Sequence, residues 1–120
     1  MKNIYQYIRK RQLSITKPID EQKLLLGVKP QRIIYFFTFK QIYKEKNSIL
    51  EFLNKQLYKL RSKLIINGNL NDKIILKLID VSEKYKRNFS IVVNDGYKLF
   101  LNNNMSDSSD VAIIVENEGD

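Results

Sequence analysis

Residues 48–87 decide the fold. Ser48-Ile-Leu-Glu-Phe-Leu-Asn-Lys-Gln-Leu-Tyr-Lys-Leu-Arg-Ser-Lys-Leu-Ile-Ile-Asn67-Gly68 is followed, after Asn69, by Leu70-Asn-Asp-Lys-Ile-Ile-Leu-Lys-Leu-Ile-Asp-Val-Ser-Glu-Lys-Tyr-Lys-Arg87. In the first part Ile49, Leu50, Leu53, Leu57, Leu60 and Leu64 recur at spacings of three and four, which predicts one amphipathic helix over 47–66. Ser48 with Glu51 has the spacing of a capping box, and Asn67-Gly68 reads as a left-handed stop. In the second part Asn71 is a good N-cap, with Leu70 and Ile75 at the staple positions, and Ile74, Ile75, Leu78, Val81 and Tyr85 form an apolar face. Only a few residues separate the two segments, so they are expected to pack as neighbours.

Downstream, Phe89–Val93 and Tyr97–Leu101 flank Asn94-Asp95-Gly96, which reads as a β-hairpin. Upstream, residues 3–13 predict a short helix with Ile4 and Ile8 one turn apart. After Pro18, Asp20 is placed to cap another through Leu26, stopped by Gly27. Residues 32–43 are β-branched and aromatic and read as a strand, with a helix left open by periodicity alone. The resulting expectation is a single α+β domain over residues 1–101, with amphipathic helices on a short antiparallel sheet or hairpin. A polar linker follows over 102–110, then an acidic C-terminal segment over 111–120. Within that segment Val111–Val115 is an apolar run suited to a final strand, either on the domain's own sheet or at a partner's sheet edge.

The order helix, turn, helix, hairpin is that of a winged-helix unit. Leu70–Arg87 also resembles the helix-turn-helix pattern, with Ile79-Asp80-Val81-Ser82 at the turn and Glu83 to Arg87 opening a recognition helix. Leu76, Asp80 and Lys86 depart from that pattern. An uninterrupted helix from Asp72 to Arg87 accounts for the same residues. On such a helix Lys73, Lys77 and Lys84 fall within about 40° of one another and form a stripe suited to a phosphate backbone.

Charge points the same way. All 21 Lys and Arg residues lie in residues 1–104 with 8 acidic ones, a balance of +13, while residues 105–120 hold five acidic residues and no basic one. A basic body favours a polyanionic partner. Candidate contacts are Lys73, Lys77, Lys84, Lys86, Arg87 and Lys98 around the second helix and hairpin, and the Arg9-Lys10-Arg11 triplet as a basic arm. Tyr85, Tyr97 and Phe100 interleave with these cations in the manner of single-strand binders.

The chain has no Cys and no His. Thiolate and imidazole nucleophiles and bases, disulfides and Cys/His zinc sites are therefore excluded. Glu21-Gln22-Lys23 is the nearest approach to a nuclease-like spacing, and it has no convergent carboxylate set beyond adjacent Asp20. No catalytic residue, metal or cofactor is expected.

No stretch nears the roughly 20 apolar residues of a membrane span, and the N-terminus lacks a signal-peptide core, so an intracellular location is expected. Ile, Lys, Asn and Tyr make up 51 of 120 residues, which suggests an AT-rich gene such as that of a virus, plasmid or organelle. The function expected is a small nucleic-acid-binding protein, with DNA favoured, acting as a regulator or replication accessory factor and compatible with a homodimer. The alternative is a protein-interaction factor, such as an inhibitor, immunity-type protein or assembly subunit, whose basic surface meets an acidic protein.

Overall fold

The sheet is built around the last strand of the chain. In a computed structural model that describes residues 3–13, 21–93 and 107–119, β4 (Val111–Asn117) lies between β1 (Ile33–Thr38) and β2 (Ser62–Asn67) and runs antiparallel to both. A fourth strand, β3 (Phe89–Val92), pairs in parallel with β2, giving a mixed sheet of order β1-β4-β2-β3. Val111, Ala112, Ile113, Ile114 and Val115 are each at most 1% exposed. Burial on both faces explains why this strand reads as an unbroken apolar run rather than an alternating one.

Helices cover both faces. α4 (Lys46–Lys59) and α5 (Asp72–Lys84) bring Leu53, Leu57 and Leu78 onto Leu64, Ile66, Ile113 and Val115. On the other face α1 (Ile4–Leu13) and the segment after α2 (Glu21–Leu24) bring Ile4, Tyr7, Leu25 and Val28 onto Phe36, Ile65 and Ile114. Leu64, Ile65 and Ile66 thus alternate between two cores, as the period of a strand requires. Each such side chain contributes roughly 1.5–3 kcal/mol of transfer free energy. The α+β class and the helix-on-sheet packing agree with the sequence reading, with a mixed sheet in place of an antiparallel one.

Four local expectations are corrected. The helix predicted over 47–66 ends at Lys59, and β2 starts at Ser62, with Leu64 and Ile66 facing one core and Ile65 the other in the alternation of a strand. Asn67-Gly68 therefore ends a strand, not a helix. Asn67 donates to the Val111 carbonyl at 3.0 Å, and a side chain on Gly68 would come within 3.0 Å of the Val92 carbonyl oxygen. The Ser48/Glu51 capping box is absent: α4 starts from Glu45 without a side-chain cap. A capping box exists instead at Thr38 with Gln41, where β1 hands over to α3 (Phe39–Lys44) midway through the segment read as one strand.

Finally, α5 is continuous through Ile79–Ser82, and β2 separates it from α4. The unit is a β2-α5-β3 parallel crossover, not a helix-turn-helix or a winged helix. The helices still pack side by side, joined by Tyr85 donating to Asn54 at 2.6 Å. Other expectations hold. Asn71 caps α5, accepting from the Lys73 N–H at 2.8 Å, and Gly27 adopts φ +82, although α2 ends at Leu24 rather than at Leu26. Asp20, the turn and second half of the predicted hairpin (94–101) and residues 102–106 of the linker lie outside the described residues. No helix of the described residues is long and apolar enough to cross a membrane.

α1 is tied to the entry of β4. Tyr7 donates its hydroxyl to the Ser109 carbonyl, and Arg11 contacts Asp110 at 2.9 Å and the Tyr7 oxygen at 3.1 Å. Burial pushes the Tyr7 phenol up to about 12, Arg11 opposing and Asp110 adding to the effect.

Two outcomes follow from this arrangement. Truncation after Asp110 removes the strand on which β1 and β2 pair, so the product should lose cooperative thermal unfolding by circular dichroism. A folded, cooperative truncation product would contradict the central placement of β4. The neutral Tyr7 phenol is favoured in the folded state. Its contribution is complete below pH 10 and is lost as pH rises towards 12, by roughly 2–3 kcal/mol. Urea melts across that window should show a slope that Tyr7→Phe flattens.

Candidate nucleic-acid interface

Strand direction gathers cations at one end of the sheet. Because β4 is antiparallel to β1 and β2 and β3 is parallel to β2, the starts of β1, β2 and β3 lie beside the end of β4. Arg32 precedes β1, Arg61 and Lys63 stand at the start of β2, and Lys86, Arg87 and Asn88 lead into β3. Lys84 closes α5 at the same end, its ammonium 5.3 Å from the centre of the Tyr85 ring. Arg61, Ser62, Lys86, Arg87, Asn88 and Glu118 line a concavity of about 350 Å³ there.

The two central side chains are held in different ways. Arg87 donates through Nε to the Leu57 carbonyl at 2.7 Å and through Nη2 to the Tyr58 carbonyl at 3.3 Å. Its guanidinium thereby satisfies the last turn of α4 and complements the negative end of that helix. Lys86 sits at φ +55, the position after the α5 C-cap that usually carries glycine. The Lys86 N–H bonds the Glu83 carbonyl at 3.1 Å and the Arg87 N–H bonds the Ser82 carbonyl at 2.8 Å, the hydrogen-bond pair of a Schellman motif.

Carboxylates enter from β4. Glu116 stands across from both Ile33 and Lys63, with its oxygen 3.5 Å from Arg32 Nε. Glu118 accepts from the Asn88 amide at 3.2 Å, and its backbone N–H is fixed to the Arg61 carbonyl at 3.0 Å. With Glu83 included, the cations named here outnumber the carboxylates two to one. Tyr58, 68% exposed, presents its ring next to Tyr85 at a centroid distance of 5.7 Å.

Of the predicted contacts, Lys84, Lys86 and Arg87 converge on this end. Lys73 and Lys77 are exposed on the first half of α5, towards the opposite end of the sheet. Arg9 and Lys10 are exposed on α1, over the other face, and Arg11 is engaged with Tyr7 and Asp110. Lys98, with Tyr97 and Phe100, lies outside the described residues. Tyr85 is a packing residue bonded to Asn54. Arg61, Lys63, Arg32 and Tyr58 are contributors that the sequence reading missed. For Arg61 and Lys63 the one local signal is the alternation Lys59-Leu60-Arg61-Ser62-Lys63, which the helical reading of 47–66 absorbs. Among the described residues no three metal-ligating side chains are placed to hold a metal ion.

Comparison with known proteins adds family and fold. Residues 2–119 match the profile of DUF1694, a family described as proteins of unknown function, and the chain belongs to that family. No curated protein matches it. The crystal structure of the YueI protein from Bacillus subtilis is similar, with a TM-score of 0.59 and 20% sequence identity over 96% of this chain and 82% of that one. That likeness supports the small α+β domain with helices packed on a four-stranded mixed sheet.

The backbone of Lys86 gives a direct check. Lys86→Gly should raise stability by about 0.5–1 kcal/mol, a shift of a few degrees in Tm, because glycine adopts the left-handed region without steric cost. Arg87→Ala should lower stability by about 1–3 kcal/mol by stripping the α4 carbonyls of their donors. Thermal melts that show no gain for the first variant would place Lys86 in a different conformation.

Proposed function

We propose that this family member is a small nucleic-acid-binding protein that holds phosphates at the basic end of its sheet. The observation that carries the reading is the convergence of Arg61, Lys86 and Arg87 on one polar concavity, with Lys63, Lys84 and Arg32 around it. From β1 to β3 there are three interstrand steps, about 14 Å. A nucleic-acid strand laid along that span brings consecutive phosphates to the row of cations. Lys86 adds support, since a lysine occupies a backbone position where glycine is easier.

Exposed Tyr58 beside Lys84 and Tyr85 favours a single-stranded segment, because an unpaired base can stack on its ring while the backbone follows the cations. Glu116 and Glu118 repel phosphate at the centre of the cluster. Affinity should therefore be moderate and strongly dependent on salt.

Fluorescence anisotropy with a labelled single strand and its duplex, across a salt series, tests this. With about four phosphates neutralised, the slope of log affinity against log salt should be near −2.8 for the single strand. Arg61→Ala with Lys86→Gly should bring it to about −1.4, and Tyr58→Ala should weaken the single strand more than the duplex. Lys73→Ala with Lys77→Ala should leave both affinities unchanged. Binding indifferent to salt, or dependent on the α5 pair instead, would remove the proposal.

A further inference from the structure

We propose that the open edge of β1 is a docking site for an extended peptide strand with an uncharged middle and acidic ends. β1 is an outer strand of the sheet, and β4 pairs with one side of it only. No described strand meets its other side, so a row of backbone N–H and C=O groups faces outwards there. Sheet edges of this kind are normally blunted by a charge, a proline or a covering segment. Ile33-Ile-Tyr-Phe-Phe-Thr38 contains neither a charged residue nor a proline. A groove of about 560 Å³ lies along its first part, Ile33 to Phe36, walled by Pro30 and Gln31 just before the strand and by Asn3 and Tyr5 from the start of α1. Tyr5 is 55% exposed there. An added strand would gain main-chain hydrogen bonds from the edge and side-chain contacts from the groove.

Charge selects the occupant. Between Gln22 and Lys44 there are five cations (Lys23, Lys29, Arg32, Lys40 and Lys44) and no carboxylate. Lys29 and Arg32 stand at one end of β1 and Lys40 at the other. Arg32 is already beside Glu116 at 3.5 Å, whereas Lys29 and Lys40 are exposed and have no described carboxylate at ion-pair distance. A second copy of the chain fits poorly. Antiparallel pairing of β1 with its own image sets Arg32 beside Lys40, and parallel pairing sets each cation beside itself, and like charges facing each other across strands are destabilising. A strand that carries acidic residues at both ends, with about six uncharged residues between them to match the roughly 20 Å of β1, meets attraction at both. The site runs along the outer side of β1 and shares Arg32, at the start of that strand, with the basic end; its occupancy does not depend on nucleic-acid binding.

The probe is a peptide of roughly ten residues, two glutamates at each end and alternating threonine and valine between, with a lysine-ended counterpart as control. Titration followed by amide hydrogen exchange should show the glutamate-ended peptide binding at least about 10-fold tighter than the control, with exchange slowed at Ile33–Thr38. Lys29→Glu with Lys40→Glu, both at exposed positions that leave the core intact, should reverse that preference. Equal binding of the two peptides, protection confined to another strand, or a dissociation constant above about 1 mM for both would overturn the proposal. Concentration-dependent protection of β1 without peptide would also overturn it, in favour of self-association.

Discussion

The pairing of β4 with both β1 and β2 is the constraint on which the rest depends. Its partners come from residues 33–38 and 62–67, so the sheet closes only when the end of the chain reaches the middle. Before that, among the described strands, β2 has β3 alone and β1 has no neighbour. The helices on either face then have only part of the surface they bury against, because Ile113 and Val115 belong to one core and Val111 and Ile114 to the other. Pairing across such sequence distances carries a loop-closure cost before any contact repays it, and sets a slower folding rate than the helical content alone suggests.

That same distance limits what the sequence discloses. Helix and strand types were legible wherever the pattern was local: α1, the Asn71 cap of α5, the Gly27 stop and the apolar strand at 111–115. The error at 47–66 arose because Leu60 and Leu64 continue the helical spacing of Leu53 and Leu57 by coincidence of position. What separates the two elements is burial of three consecutive residues, Leu64-Ile65-Ile66, on both sides. An apolar run of that kind between Ser62 and Asn67 is a strand signal that periodicity outvoted. Once the boundary is moved to Lys59, the winged-helix order loses its first helix as a close neighbour in the chain, while the helix-turn-helix reading within 70–87 fails separately because α5 runs unbroken through Ile79–Ser82.

The site was legible in part and for an incomplete reason. Lys84, Lys86 and Arg87 were singled out as a basic edge beside a hairpin. In the fold they meet Arg61, Lys63 and Arg32 because three strands start at the same end. No local motif encodes that meeting, since it depends on strand order and direction. Nor does residue type reveal that Arg87 spends donors on the carbonyls of Leu57 and Tyr58, or that Arg11 is tied to Asp110. Those two arginines hold the structure, and exposed Lys84, Lys86 and Arg61 are the freer cations at their respective positions.

The acidic C-terminus acquires a definite meaning from this geometry. A flexible acidic tail can leave a basic surface when a stronger anion arrives, which makes it a displaceable competitor. Glu116 cannot do so, because it lies within β4 and stands in register with Ile33 and Lys63. Glu118 is anchored by its own N–H to the Arg61 carbonyl, and Gly119 donates to the same oxygen at 3.2 Å. Carrying Glu116 out of the cluster would require breaking the end of the central strand, and carrying the Glu118 backbone away would require releasing the Arg61 carbonyl. The negative charges are therefore a fixed part of the surface, lowering its potential at the centre and leaving the cations at the rim. A ligand that follows the rim with spaced charges is favoured over one that places a single dense anion in the middle. Modulation would come from ionic strength and from ligand shape, not from release of a tail.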